Sequence, residues 1–115
     1  MDVNTDGEAL GRLRRVGGPD LVRKMIRLFL ENLPLRVEVA LAGIRGGAWA
    51  DVERVGHSLK SSAAYLGLRE LSERAATLES LAAQGGGSDV EPLLRDLSDS
   101  MPALRSHLLK IVQDL

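Results

Sequence analysis

The 115-residue sequence predicts an all-α protein: an antiparallel up-and-down four-helix bundle with two additional N-terminal helices. Aromatic residues make up only 3% of the chain, and Leu and Ala dominate its apolar residues, which favours helices packed on helices over a sheet. Apolar residues recur at three- and four-residue spacings in segments joined by short loops. The length fits one domain (1–115), in which residues 1–33 form the N-terminal helices and residues 35–114 form the bundle.

The two N-terminal helices are delimited by capping and breaking residues. The first begins at the capping-box spacing of Thr5–Glu8 and ends at Gly17-Gly18. Pro19 suits the first position of the second helix, and Pro34 is expected to break the chain after it. The inward face of this second helix is Val22, Met25, Ile26 and Phe29.

Four further helices are predicted to form the bundle. The first closes at Gly46-Gly47, the second runs from near Trp49 to Gly67, and the third precedes the glycine-rich loop 84–87. The last begins with a second capping box at 88–91, and Pro102 is expected to kink it. Their inward faces are Val37, Leu41 and Ile44; Val52, Val55, Leu59, Ala63 and Leu66; Leu71, Ala75, Leu78 and Ala82; and Leu94, Leu97, Met101, Leu104, Leu108 and Ile111.

Composition excludes several classes of function. The chain has no cysteine, which rules out disulfides, thiol catalysis and cysteine-based zinc sites. The net charge is −1 and no basic patch is interleaved with aromatic residues, so nucleic-acid binding is not expected. No apolar run approaches the roughly 20 residues of a membrane span, and no signal peptide is visible. We therefore expect a cytoplasmic protein without membrane insertion, and a monomer, because the apolar stripes can all be buried internally.

The helix from Trp49 to Gly67 presents a histidine to solvent. His57 lies about 160° around the helix from Leu59, which is in the middle of the apolar stripe. Lys60 follows His57 by one turn, where three-residue spacing brings side chains together. A neutral imidazole is nucleophilic near pH 7 because its unperturbed pKa is about 6.5. An exposed histidine next to a cation and small residues therefore suits a phosphoryl carrier.

This helix resembles the active helix of histidine-containing phosphotransfer (HPt) domains, in the motif His57-x-Leu59-Lys60, small residues, then Gly67. The resemblance extends to positions on other helices. These are Gly17-Gly18, Phe29, Trp49 and Leu78-Glu79.

The resemblance implies that His57 is the phosphoacceptor and that Lys60 orients and neutralises the phosphoryl group. The partners would be response-regulator receiver domains, either free or within a hybrid histidine kinase. The chain would have no cofactor of its own, since the receiver would supply both the aspartate and the Mg²⁺.

Other residues near His57 have expected roles in binding or structure. Ser61 stands where many members of the family have glycine, and it would either hydrogen-bond the imidazole or bond back to the carbonyl of His57. Arg54 would assist the phosphoryl group or meet an acidic patch on the receiver. An apolar surface beside His57 would dock the receiver through Ala64, Tyr65 and Leu68.

Structural roles are expected for three further residues. Gly67 caps the helix, Gly56 allows close approach of a neighbouring helix, and His107 lies at the edge of the core.

Two other functions remain open from the sequence. One is a partner-sequestering helical module in which His57 is incidental. The other is the phosphoacceptor domain of a chemotaxis-type histidine kinase, phosphorylated from ATP by a linked catalytic domain. The residues also leave open whether the chain is free-standing or a domain of a hybrid kinase.

Overall fold

A computed structural model describes residues 1–115 and contains five helices and no strand, which confirms the all-α prediction. The helices are α1 (Gly7–Gly46), α2 (Trp49–Tyr65), α3 (Arg69–Ala83), α4 (Val90–Asp99) and α5 (Met101–Gln113).

α1 begins one residue later than the capping box predicts and carries a kink near its start. Its N-cap is Asp6, whose side chain accepts a hydrogen bond from the backbone N–H of Glu8 at 3.0 Å. At Gly18, φ is 70° and ψ is −170°, a conformation that glycine adopts without a steric penalty. The predicted boundary at Gly17-Gly18 is therefore a kink that divides α1 into a first segment, 7–17, and a second segment, 19–46.

The predicted break at Pro34 is wrong, because α1 continues through it to Gly46. Proline removes one backbone hydrogen bond from a helix interior, but Pro34 is exposed while Leu33 and Val37 on either side are buried in the core. Burial of these flanking side chains holds the helix together. The predicted second and third helices are thus one element, and the proposed division between residues 33 and 35 falls inside it.

The C-terminal helix predicted from residue 88 onward is two helices. α4 ends at Asp99, Ser100 lies between, and α5 begins at Met101. Pro102 lies in the first turn of α5. Backbone N–H groups in a first turn have no acceptor within the helix, so the missing N–H of proline removes no hydrogen bond there. The predicted interruption at Pro102 is therefore present, but as the start of a new helix and not as a kink within one.

The core is a single cluster of 22 buried apolar residues contributed by all five helices. α2 packs between α1 and α3, α4 packs on α1 and α3, and α5 packs on α1 and α4. The N-terminal residues lie against the α2–α3 turn, where the N–H of Asp6 donates to the carbonyl of Gly67 at 2.6 Å. Gly67 has φ of 71°, and a Cβ there would lie 2.5 Å from the carbonyl oxygen of Asp6, so its structural role is confirmed.

α1 leaves part of its apolar surface exposed. Leu28, Leu35 and Val39 are 44%, 59% and 49% exposed, and none of them belongs to the inward faces predicted from the sequence. The monomer stays a prediction. None of the helices combines the length and the apolar character that a membrane crossing requires.

Candidate functional site

His57 projects from the outer face of α2, as the sequence predicts. Its side chain is 65% exposed, whereas Val55 and Leu59 on the opposite side of the helix are buried in the core. The apolar stripe of α2 therefore fixes which way the imidazole faces.

α2 and α3 approach each other closely next to His57. A Cβ added at Gly56 would lie 2.7 Å from the backbone nitrogen of Glu79 and 2.9 Å from its Cα. Only a residue without a side chain allows the two backbones to come so near. The expected close approach at Gly56 is confirmed, and it places Glu79 beside His57.

The carboxylate of Glu79 contacts both His57 and Lys60 of the α2 motif. Its Oε2 lies 2.7 Å from Nδ1 of His57, and its Oε1 accepts a hydrogen bond from Nζ of Lys60 at 2.6 Å. The Lys60 ammonium lowers the pKa of Glu79 below its usual value; the His57 contact lowers it further, while partial desolvation opposes both. Glu79 is thus an ionised carboxylate at neutral pH.

The Glu79 contact determines which imidazole nitrogen is free. An ionised carboxylate only accepts hydrogen bonds, so Nδ1 of His57 carries the hydrogen and donates it. In the neutral ring, Nε2 then keeps its lone pair, and no hydrogen bond occupies it. The site offers one exposed nucleophilic nitrogen with a cation one turn away.

The sequence did not identify Glu79 as part of this site, although Leu78-Glu79 contributed to the resemblance. Spacing within α2 cannot reveal a residue of α3. Two features of the sequence together could have indicated Glu79. One is the glycine in the middle of a helix at position 56, and the other is the acidic residue directly after the buried Leu78 on the next helix.

Ser61 and Arg54 do not contact the imidazole. Nδ1 of His57 is taken by Glu79, and the Ser61 hydroxyl forms no hydrogen bond to the other ring nitrogen or to the carbonyl of His57, the two contacts expected for it. Arg54 forms an ion pair with Asp51 on the same helix. The structure therefore brings His57, Lys60 and Glu79 together and leaves Ser61 and Arg54 outside that cluster.

A groove of about 570 Å³ lies beside the cluster, between the first segment of α1 and the end of α2. We call it the Tyr65 groove. Tyr65 is 61% exposed and Val16 is 83% exposed, so the groove has a large apolar surface open to solvent. Its lining is Ala9, Arg12, Leu13, Val16, Ser61, Ala64 and Tyr65.

The three residues predicted to dock a receiver do not all lie on the surface. Ala64 and Tyr65 line the groove, but Leu68 is only 1% exposed and belongs to the core. Leu13 and Val16 of the first segment of α1 also line the groove, which the sequence does not show because the kink at Gly18 lays this segment against α2.

The second histidine has a structural contact. Nε2 of His107 lies 3.3 Å from the hydroxyl of Thr5, and the side chain is half-buried, as expected for the edge of the core. No group of three or more His, Asp and Glu side chains is placed to hold a metal ion.

Comparison with known families agrees with this geometry. The family model described as Hpt domain matches residues 24–107, which is most of the chain and includes His57, Lys60 and Glu79. The chain belongs to the Hpt domain family. The match begins after Gly18, so the first segment of α1, which lines one side of the Tyr65 groove, lies outside it.

A solved structure shows the same fold as this Hpt domain. Histidine-containing phosphotransfer protein B (HptB) from Pseudomonas aeruginosa PAO1 superposes with a TM-score of 0.87 over 96% of each chain, at 18% sequence identity. A search of curated protein sequences gave no match.

Proposed function

We propose that this Hpt domain acts as a phosphorelay intermediate in which Nε2 of His57 accepts a phosphoryl group from, and returns it to, the aspartate of a response-regulator receiver. The observation that carries this is the contact of Glu79 with Nδ1, which leaves Nε2 unprotonated on an exposed ring. An acceptor of this kind needs no general base.

The chemistry balances without a proton transfer. The Nε2 lone pair attacks the phosphorus of the receiver's aspartyl phosphate, the N–P bond forms, and the P–O bond to the aspartate breaks and leaves a carboxylate. Because Nδ1 keeps its hydrogen, the phosphorylated ring carries a positive charge. The Glu79 carboxylate at 2.7 Å stabilises that charge. In the reverse direction the neutral imidazole leaves.

Lys60 is placed to act on the phosphoryl group. Phosphorylation adds about two negative charges near pH 7, and the ammonium of Lys60 sits one helical turn from His57. Lys60 is 36% exposed and already ordered by Glu79, so its stem holds the ammonium close to the ring. In the phosphorylated state this cation is shared between Glu79 and the phosphoryl oxygens.

The Tyr65 groove supplies the docking surface in this proposal. It adjoins the site through Ser61, is lined mainly by apolar side chains, and is large enough for several side chains of a receiver. Arg12 and Ser61 provide polar contacts at its edge. The receiver, free or within a hybrid kinase, supplies the aspartate and the Mg²⁺, and the reaction takes place in the cytoplasm.

The test is transfer from phosphorylated receivers of the same organism, with His57→Gln compared with the matched control His107→Gln. We expect acid-labile, alkali-stable label on the wild type and on His107→Gln, and none on His57→Gln. Label on His57→Gln would contradict the proposal. Receiver binding without any transfer would favour the partner-sequestering module, for which the Tyr65 groove alone would suffice. Label only from ATP and a linked kinase domain would favour the chemotaxis-type phosphoacceptor.

A further inference from the structure

A stripe of exposed residues follows the outer face of α1. Leu28, Asn32, Leu35, Val39 and Ala42 follow one another at alternating four- and three-residue spacings, and all five are exposed. We call this stripe the α1 seam. None of its residues belongs to the His57 cluster or lines the Tyr65 groove.

The α1 seam has the pattern of a two-stranded parallel coiled coil. In heptad notation Leu28 and Leu35 occupy d, while Asn32 and Val39 occupy a. Leucine at d with a β-branched residue at a favours two strands, and a single asparagine at a fixes the register and the number of strands. The core of the bundle does not explain the pattern, because Leu28, Leu35 and Val39 are 44%, 59% and 49% exposed.

The charges flanking the α1 seam also fit a second copy in parallel register. Glu31 occupies g and Arg36 occupies the e position five residues later, which is the pairing that parallel coiled coils use between strands. Arg36 donates one hydrogen bond, to the hydroxyl of Ser62, which leaves its other guanidinium donors free, and neither Glu31 nor Arg36 forms an ion pair within the chain. Two-fold symmetry would form the Glu31–Arg36 pair twice.

An antiparallel arrangement fits less well. A register that sets Leu28 against Val39 of the partner subunit also sets Asn32 against Leu35 of the partner subunit. It brings Glu31 near Glu38 of the partner subunit, so like charges would face each other across the seam.

We propose that two copies of this chain associate in parallel through the α1 seam, with each Asn32 facing Asn32 of the partner subunit. A shallow groove beside Val39, lined also by Arg54 and Ser58 of α2, extends the contact surface onto the neighbouring helix. His57, Lys60 and Glu79 do not belong to this contact surface. The proposal does not depend on the function proposed for His57.

The first test measures mass against concentration by sedimentation equilibrium, from micromolar to millimolar protein. We expect a monomer–dimer equilibrium for the wild type and for Leu109→Glu, a matched change of a 39% exposed leucine on α5. Leu35→Glu would place a charge at a buried d position, and we expect it to weaken dimerisation roughly a hundredfold. Circular dichroism confirms that both variants remain helical. A wild type that stays monomeric throughout, or a dimer unaffected by Leu35→Glu, would overturn the proposal and leave the seam for another protein's helix.

The second test determines the register. The chain has no cysteine, so a single Asn32→Cys substitution gives one thiol per copy. A parallel dimer brings the two thiols face to face within disulfide range, so we expect rapid cross-linking under mild oxidation. Ser80→Cys, exposed on α3, is the control. Cross-linking of Asn32→Cys no faster than that of the control would contradict the parallel register.

Charge reversal tests the flanking pair. Glu31→Arg and Arg36→Glu should each weaken the homodimer through like-charge contacts. Mixing the two variants restores both Glu–Arg pairs, so we expect a heterodimer at least as stable as the wild-type dimer. Two variants that dimerise unchanged, or that fail to combine on mixing, would show that Glu31 does not face Arg36 of the partner subunit.

Discussion

Oε2 of Glu79 lies 2.7 Å from Nδ1 of His57, which makes a residue of α3 the orienting partner of the imidazole on α2. The same carboxylate accepts a hydrogen bond from Lys60 through its other oxygen. One acidic side chain thereby fixes the tautomer of the proposed nucleophile and the position of the nearby cation. It reaches both because Gly56 lets the two helices approach at that level.

Replacing Glu79 by glutamine should slow phosphotransfer. The amide oxygen still accepts a hydrogen bond from Nδ1, but the negative charge that stabilises the phosphorylated ring and holds Lys60 is lost. We expect transfer from a phosphorylated receiver to slow about tenfold, measured by rapid quench. Glu73→Gln, exposed on the same helix, is the control and should transfer at the wild-type rate. Equal rates for the two variants would show that the charge of Glu79 has no part in the reaction.

The contribution of Glu79 to stability should depend on pH in a defined direction. Its pKa is lowered in the folded protein from an ordinary value of 4.5, chiefly by Lys60. A depressed pKa stabilises the fold fully above the unfolded-state value, and the contribution disappears as the pH falls through the lower, folded-state value. The wild type should therefore be more stable than Glu79→Gln above about pH 5, and the difference should shrink at lower pH. Urea unfolding of both proteins across this range measures it, and a difference that grew on acidification would have the wrong sign.

Gly56→Ala should destabilise the protein although alanine is the better helix former. The added methyl group would lie 2.7 Å from the backbone of α3, which cannot move aside as a flexible side chain can. We expect a loss of about 1–3 kcal/mol in the free energy of unfolding. Gly46→Ala is the matched control, since a Cβ there meets nothing within 4 Å. It should be neutral or stabilising by up to about 1 kcal/mol in the same urea titration.

Tyr65→Ala and Leu68→Ala should separate docking from folding. Tyr65 is 61% exposed and lines the groove, so its loss should weaken receiver binding while changing stability by about 0.5 kcal/mol or less. Leu68 is 1% exposed, so its truncation should cost about 2–5 kcal/mol in unfolding free energy. Calorimetric titration with a receiver, run beside thermal unfolding, measures both. Unchanged receiver affinity in Tyr65→Ala would remove the groove from the docking surface.

The sequence by itself determined the helical class, most of the helix positions and the face on which His57 lies. These properties follow from local periodicity and from glycines that end helices, as at Gly47 and Gly67, where φ is positive. The motif around His57 also supplied the family resemblance, which the match over residues 24–107 confirms. Each of these depends on residues within a few turns of one another.

Only the tertiary structure decided whether a helix-breaking residue ends a helix and which helices contact each other. Pro34 does not end α1 because the buried residues on either side hold the helix against the core. Leu68 is buried because the α2–α3 turn packs under the N-terminal residues, a contact between positions far apart in the chain. Glu79 reaches His57 from 22 residues away because two backbones meet at Gly56. Local periodicity specifies the face of a helix, whereas the residue that meets that face depends on how the whole core packs.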